Sequence, residues 1–321
     1  MIPPAVNTTE AGRLTCQNPR HESVGRPVMR NAGGPELLRT TAAVAWRLRY
    51  DLLAVLAVTA VMAVLVDVLP LQTAAPVVPL LGIVVSIFIG FRNSNAYARW
   101  WEARTLWGTV IGNGRAMSNA LTAVVDPTPE ALEVADRIRR RQARQAWQLA
   151  AELGGAPAPA AVAALTPEDP PDATSGDLLA GQGADIGAMT RAGMVDIQGR
   201  TVLVNLNTAQ TNTSGGLERI RHQPIPRYYD LFIRGLAWFF AVMVCTRLDS
   251  GGHDSPAGIV VSILIMALFV VAERLGRLLE EPMSAGIFGL PMDRFCAELT
   301  ANILGPAHRL AGGAQPEAKA R

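Results

Sequence analysis

The stretch LLGIVVSIFIGFRNSNAYARWWEARTLWGTV, residues 80–110, decides the fold of this chain. Up to Phe91 it carries no charge, and beyond Phe91 arginines and a glutamate alternate with aromatic side chains. Amphipathic aromatics settle at the headgroup level of a bilayer and arginines favour its cytoplasmic side, so the pattern predicts a membrane-spanning helix that leaves the bilayer here. We call the residues at this exit the collar: Arg92, Arg99, Trp100, Trp101 and Glu102. The pattern also fits a buried core helix of a soluble protein that runs on into a polar surface helix.

The composition of the whole chain favours the membrane alternative. Of its 321 residues 50% are hydrophobic and only 17% are charged, whereas about one quarter of the residues of an ordinary soluble domain are charged. A net charge of +2 argues against a nucleic-acid partner, because such domains are usually strongly basic. The cysteines are odd in number and scattered, so they predict free thiols and neither a disulfide framework nor a metal site: Cys16, Cys245 and Cys296.

Apolar segments predict four membrane spans and an all-α membrane protein. Residues 52–71 would extend for about 30 Å as a helix, which matches the hydrocarbon thickness, and three further segments cover residues 77–91, 228–245 and 257–272. The arginine-rich stretches before the first span, between the second and third, and after the fourth all fall on one side. The positive-inside rule makes that side cytoplasmic, with both termini there, in a multi-pass protein of the cell inner membrane.

This topology divides the chain into five regions. They are a disordered N-terminal arm (1–36), an interfacial helix with the first two spans (37–91), a cytoplasmic helical region (92–227), the last two spans (228–273), and a cytoplasmic C-terminal segment and tail (274–321).

The cytoplasmic region is predicted to be built from helices. The helix that leaves the membrane should end near Asp126-Pro127, because proline cannot continue it, and the next should run over 128–153 with Thr128 as its N-cap. Residues 154–187 should form loops and short helices, and 189–220 a longer helix. The second helix carries a run of arginines that we expect to form a solvated face: Arg137, Arg139, Arg140, Arg141 and Arg144.

Three motifs resemble those of the bestrophin family of membrane proteins. The run GFRNSNAYARWWEARTLWG (90–108) looks like the signature of that family. GGLERI (215–220), with PIP (224–226) and Tyr228 after it, is similar to the lead-in to its third span, and Glu280-Glu281-Pro282 is similar to its acidic-proline element. The resemblance covers about residues 37–305.

The resemblance implies a homopentameric ion channel with a central pore lined by the second helix of each subunit. The family's hydrophobic neck falls on Ile83, Ile87 and Phe91. Residues four apart lie only about 40° apart around a helix, so these three would share one face. Along the axis they would span about 12 Å. An apolar constriction of this kind can gate by dewetting. Without the resemblance, the same residues would be read as ordinary packing residues of a spanning helix.

A second, cytoplasmic constriction is also implied, with Ile197 as the nearest match and Val195 or Val202 as alternatives. Animal members of the family carry a calcium clasp of several aspartates after the fourth span. This chain has only Glu280 and Glu281 there, too few oxygen ligands for calcium. We therefore expect no metal and no cofactor.

Several functions stay open from the sequence. We favour a channel for monovalent cations, because the short C-terminal tail resembles that of prokaryotic members; the alternatives are an anion channel of the same architecture and a non-conducting oligomeric scaffold. An enzyme is not expected, since residues 92–227 contain a single histidine, His222, and no phosphate loop or HExxH motif. The expected partners are monovalent ions, further copies of the chain and the lipid bilayer.

Overall fold

The computed structural model describes residues 42, 44–68, 77–223, 225–246, 256–284 and 288–312. Within them the regular secondary structure is helical, apart from an isolated bridge between Val125 and Val195. The predicted N-terminal arm lies outside the described residues. The helices are α1 (Arg49–Val68), α2 (Val77–Val124), α3 (Pro129–Glu152), α4 (Ala160–Ala163), α5 (Ser175–Arg191), α6 (Ile197–His222), α7 (Arg227–Cys245), α8 (Pro256–Leu279) and α9 (Met292–Leu304).

The apolar helices coincide with the predicted spans. Among the described residues, α2, α7 and α8 are long and apolar enough to cross a membrane. α1 has no charged residue between Asp51 and Asp67 and covers most of the first predicted span, whose last residues lie outside the described part. The four spans therefore correspond to α1, the first part of α2, α7 and α8, and the chain is an all-α membrane protein.

Apolar side chains of these helices form a membrane core. Aromatic contacts join α2 to α7 and α7 to α8: the rings of Phe88 and Phe232 are 5.6 Å apart, and those of Phe240 and Phe269 are 4.6 Å apart. Close approach of α2 to α7 depends on Gly82, because a Cβ atom there would lie 3.2 Å from the Phe240 ring. Buried aliphatic side chains complete the cluster, among them Val55, Val85, Ile89, Ile233, Met266 and Val270.

Helix α2 leaves the membrane core and continues into two further cores, in the part of the chain that the sequence predicts to be cytoplasmic. Its 48 residues extend for about 70 Å. In the first core the Trp107 ring lies 6.0 Å from Phe295, and Trp147 donates a hydrogen bond from Nε1 to Thr300 Oγ1 at 3.1 Å. The second core surrounds the C-terminal end of α2, with Leu121, Ile138, Ile186 and Leu203. One helix thus links the membrane-spanning part to the cytoplasmic part.

The arginine run of α3 differs from the expected solvated face. Arg141 and Arg144 are buried. Arg141 makes a bidentate pair with Asp169, both bonds 2.8 Å, and donates from Nη1 to Asp185 at 2.6 Å. Arg137 makes a second bidentate pair with Asp185, both bonds 2.9 Å. These arginines therefore attach α3 to α5 and to the loop before it.

Helix boundaries in the cytoplasmic region follow local capping. Thr128 caps α3 as predicted and accepts a hydrogen bond from Ala131 N. α5 is a 17-residue helix where loops and short helices were expected, and it begins with a reciprocal capping box between Thr174 and Asp177. α6 begins at Ile197 and not near 189, because Gly193 adopts a φ of +73° and Asp196 caps the new helix. α9, inside the predicted C-terminal segment, was not anticipated.

The cysteines of the described part fit the expectation of free thiols. Cys245 in α7 and Cys296 in α9 are buried and form no disulfide, and burial raises the pKa of the Cys296 thiol. A buried thiol with a raised pKa carries little thiolate and is chemically inert. Cys16 lies outside the described residues.

The Arg141 cluster predicts acid-sensitive stability of the cytoplasmic region. Hydrogen bonds from Arg141 lower the pKa of Asp169. Burial alone would raise the pKa of Asp185, but the hydrogen bonds from Arg137 and Arg141 outweigh the effect of burial, so that the pKa of Asp185 is also lowered. Because both folded pKa values lie below the ordinary value of 3.8, the stabilisation is present above that value and is lost as the pH falls through about 4 and below. We expect Asp169→Asn to cost about 2–4 kcal/mol at pH 7 and to flatten the acid-induced loss, measured by thermal unfolding between pH 7 and 3.5.

Asp136→Asn is the matched control for this prediction. Asp136 pairs with Arg139 on the same helix, but its side chain is mostly exposed, so its loss should change stability by less than about 0.5 kcal/mol. Equal destabilisation by both variants would contradict a structural role for the Arg141 cluster.

Candidate pore-lining site

The predicted neck residues lie on the uncovered face of α2. Ile83, Ile87 and Phe91 are 59%, 51% and 65% exposed within the subunit. The buried residues of the same segment, Val85 and Ile89, face the other way and belong to the membrane core. Ordinary packing within one subunit therefore does not account for the three neck residues, which remain free to contact lipid, another subunit or a pore.

The uncovered face continues beyond the membrane with small and polar residues. Ser94, Ala98, Thr105 and Thr109 are exposed on the side of α2 that carries the neck, as the 3.6-residue repeat requires. The Thr105 and Thr109 hydroxyls donate to backbone carbonyls one turn earlier, Trp101 O at 2.9 Å and Thr105 O at 3.2 Å. A single helix face thus changes from apolar to hydrophilic without a break.

Arg92 anchors the opposite side of α2 immediately after the neck. Its side chain is 1% exposed and contacts three carboxylates: Glu273 at 2.6 Å, Glu280 at 2.8 Å and Asp230. A buried guanidinium needs such partners, because an unpaired charge in a low-dielectric environment is very costly. Since Asp230 belongs to α7 and Glu273 to α8, this one side chain joins three membrane helices.

A second arginine extends this cluster to the remaining membrane helix. Arg274 of α8 pairs with Asp51 of α1 at 2.5 Å and lies 3.6 Å from Glu273. Next to the cluster, Asn93 donates to the carbonyl of Ala272 at 3.1 Å, and a Cβ on Gly276 would lie 2.0 Å from Asn93 Oδ1. The rotation of α2 about its own axis is therefore fixed at this level.

The collar differs from its predicted role at three of its five positions. Arg92 is buried, and Arg99 donates to the backbone carbonyls of Gln223 at 2.9 Å, Glu280 at 3.0 Å and Ile220. Trp100 donates from Nε1 to the Phe288 carbonyl at 2.8 Å. The polar groups of these three side chains are therefore bonded to the segments around α2. Trp101 and Glu102 remain outward-facing.

The sequence contains a signal for the Arg92 cluster in two acidic residues of the membrane helices. Asp230 lies in the first turn of α7 and Glu273 within the last two turns of α8, in both cases at the charged end of a largely apolar helix. Charged residues in such places usually pair with one another. The pairing itself could not be assigned, because the partners are more than 130 residues apart in the chain.

The three candidates for the cytoplasmic constriction differ in exposure. Val195 is 3% exposed and forms the bridge with Val125, so it does not face a central space. Ile197 is 62% exposed at the first position of α6, and Val202 is exposed on the same helix. Ile197 shares its helix face with Thr201, Thr208 and Asn212, all uncovered, while Val202 lies nearer the packed side.

The acidic-proline element does not fit a calcium site. Glu280 accepts a hydrogen bond from Arg92 Nε at 2.8 Å, and a guanidinium on one of the two adjacent carboxylates repels the divalent cation that both would have to bind. In this chain the element completes the arginine anchor.

Replacing Arg92 should damage folding more than replacing an exposed arginine. Arg92→Met leaves Asp230, Glu273 and Glu280 without their common partner, and we expect a cost of about 3–5 kcal/mol. The expected result is a lower melting temperature and a loss of assembled protein in gel filtration. Arg115→Met is the matched control. Arg115 is on the same helix as Arg92, but its pair with Glu298 of α9 is about half exposed and should contribute at most about 1 kcal/mol. Similar behaviour of both variants would contradict the anchoring role.

Comparisons with known proteins agree with this architecture. A family described as Bacterial/Fungal Bestrophin protein matches residues 35–305. Voltage-dependent anion channel-forming proteins are similar to the chain. The protein of Mesorhizobium japonicum is 29% identical over 68% of this chain and 70% of the relative. The protein of Escherichia coli strain K12 is 28% identical over 70% of this chain and 74% of the relative. A crystal structure of a bacterial bestrophin homologue from Klebsiella pneumoniae superposes with a TM-score of 0.73 at 25% identity, covering 80% of this chain and 98% of that one. Because the family match extends over most of the sequence and the fold agrees, the chain belongs to the bacterial and fungal bestrophin family of ion channels.

Proposed function

We propose that the chain assembles as a homopentamer around a central anion-conducting pore, with Ile83, Ile87 and Phe91 as the neck. The observation that carries the proposal is the uncovered apolar strip of α2, which lies directly opposite the anchored side of the helix. Five such strips around an axis would form three apolar rings. The family membership supports this assembly.

Selectivity is the point on which our expectation from the sequence changes. The cation preference rested on the length of the C-terminal tail, which has no physical link to the pore. The similar relatives are named anion channel-forming proteins, and this supports the anion alternative. We therefore propose anions as the permeant species.

The neck would control conduction by wetting and dewetting. Its side chains have no charge and no hydrogen-bonding group, so an ion that passes gains no replacement for its hydration shell. A narrow apolar constriction can then be closed to ions without any physical plug. A small increase in polarity or width should wet it.

Ile197 would form the second constriction at the cytoplasmic end. Its exposure at the start of α6, with the Asp196 cap fixing the helix terminus, supports this assignment over Val195. We further propose that the protein lies in the inner membrane with both termini in the cytoplasm, because the arginine-rich segments fall on that side.

The direct experiment is planar-bilayer recording of the purified protein in asymmetric KCl. A reversal potential close to the chloride equilibrium potential supports the anion proposal, and one close to the potassium potential refutes it. Particle images with fivefold symmetry support the shared central pore. Absence of current from correctly assembled particles favours the non-conducting scaffold.

Ile87→Ser should raise the single-channel conductance or open probability at least about twofold, because a hydroxyl and a smaller side chain favour wetting of the neck. The measurement is bilayer recording at matched protein amounts.

Val261→Ser on α8 is the control for Ile87→Ser. Val261 is 53% exposed, close to the value for Ile87, but lies on a different membrane helix. The current should not change in this variant. If Ile87→Ser also left the current unchanged, Ile87 would not line the pore.

A further inference from the structure

The outward face of α6 carries a positive charge in line with the cytoplasmic constriction. Arg219 lies about six helical turns beyond Ile197 and almost opposite the packed residues of the helix, such as Leu203 and Leu217. Most positions between them on this face are short and uncharged, including Thr201, Thr208, Asn212 and Gly215, all exposed, while Arg200 is exposed about 60° to one side of Ile197. If Ile197 faces a central space, Arg219 faces the same space.

The outward face of α2 carries a negative charge in line with the neck. Glu102 lies about 16 Å beyond Phe91 along the helix and about 20° from it around the axis. Thr105 and Thr109 follow on the same face. Glu102 is therefore the first charged side chain on this face below the neck.

The two charges meet as an ion pair between α2 and α6. Arg219 donates from Nη2 to Glu102 Oε1, and the side chains are 58% and 46% exposed. Arg99, about one turn before Glu102 on α2, donates instead to backbone carbonyls. Neither partner is required to satisfy a buried charge, so the fold does not explain why a charged pair stands here.

We propose that Glu102 and Arg219 determine which sign of ion passes the neck. The inference rests on the proposed pentameric channel, in which five such pairs would form a ring around the axis beneath Phe91. In the unmodified protein the ring carries no net charge, because each glutamate compensates one arginine. Its balance sets the local concentration of anions and cations at the cytoplasmic entrance to the neck, as fixed charges do in other pores.

Single charge removals should therefore shift selectivity in opposite directions. Glu102→Gln leaves five arginines unopposed, and we expect the chloride-to-potassium permeability ratio to rise at least about threefold. Arg219→Gln leaves five carboxylates unopposed and should lower the ratio at least about threefold. The double variant Glu102→Gln/Arg219→Gln should return to within about twofold of the unmodified protein. The ratio is measured from reversal potentials in asymmetric KCl, and the shifts should shrink at high salt.

The Arg115–Glu298 pair supplies matched controls. It has the same residue types, a distance of 2.7 Å and similar exposure, but it joins α2 to α9 and not to α6. Arg115→Gln and Glu298→Gln should leave the permeability ratio unchanged. An equal shift in these variants would show that total charge and not the ring matters, and would overturn the proposal.

The failure of this inference is distinguishable from failure of the proposed function. If the unmodified protein conducts and the permeability ratio stays constant in both single variants, the ring does not set selectivity, but the proposed channel function is unaffected. If the unmodified protein forms pentamers that carry no current, the channel itself is refuted. If one single variant fails to assemble, the other single variant and the neutral double variant still test the permeability ratio. A double variant whose permeability ratio differs more than threefold from that of the unmodified protein would overturn the ring.

Discussion

The buried guanidinium of Arg92 is the interaction on which the arrangement of the membrane helices depends. It satisfies carboxylates from α7, α8 and the segment after α8 at once, and Arg274 extends the cluster to α1. Such a cluster adds little net stability compared with apolar packing, because desolvation offsets much of the attraction. Its contribution is to orientation. The planar guanidinium must reach three carboxylates at the same time, and only one rotation of α2 about its own axis allows this. That rotation points the neck residues away from the subunit.

The length of α2 extends this orientation into the cytoplasmic part. A helix has a fixed repeat, so a rotation set at Arg92 also determines which side chains face outward several turns later. Trp107 and Leu121 pack into two cytoplasmic cores on the covered side, while Ser94, Thr105 and Thr109 stay uncovered. The contacts of α3 with α5 through Arg141, and the Trp147–Thr300 hydrogen bond to α9, keep the surrounding helices in place. Neck and cytoplasmic face are thus parts of one rigid element.

Local features of the sequence predicted the elements, and long-range pairing explains what they did not. Apolar length, the Pro127 stop and the Thr128 cap located α1, α2, α3, α7 and α8, because each signal acts within a few residues. The family motif added the neck positions and the order of spans. The burial of Arg92 and Arg141, and the bonds from Arg99 to backbone carbonyls, could not be predicted, because the sequence around an arginine is the same whether its partners are water molecules or distant protein groups. α5 was missed because alanine and glycine conceal its amphipathic face, although Thr174 and Asp177 have the spacing of a capping box.

Selectivity has to be set outside the neck in a pore of this design. Three apolar rings oppose an anion and a cation for the same reason, loss of hydration, and they give neither sign a compensating ligand. The hydroxyls of Thr105 and Thr109 donate back to their own helix, so they are poor fixed donors for an anion. In our proposal the sign of the permeant ion is therefore set by fixed charges that the ion passes on its way to the neck, within the screening distance of about 8 Å at physiological salt. On the outward face of α2, the side chain that meets this requirement is Glu102, and its charge is compensated by a residue from another helix. Under this proposal, one substitution on α2 or α6 changes the charge balance without disturbing the core that holds the helices.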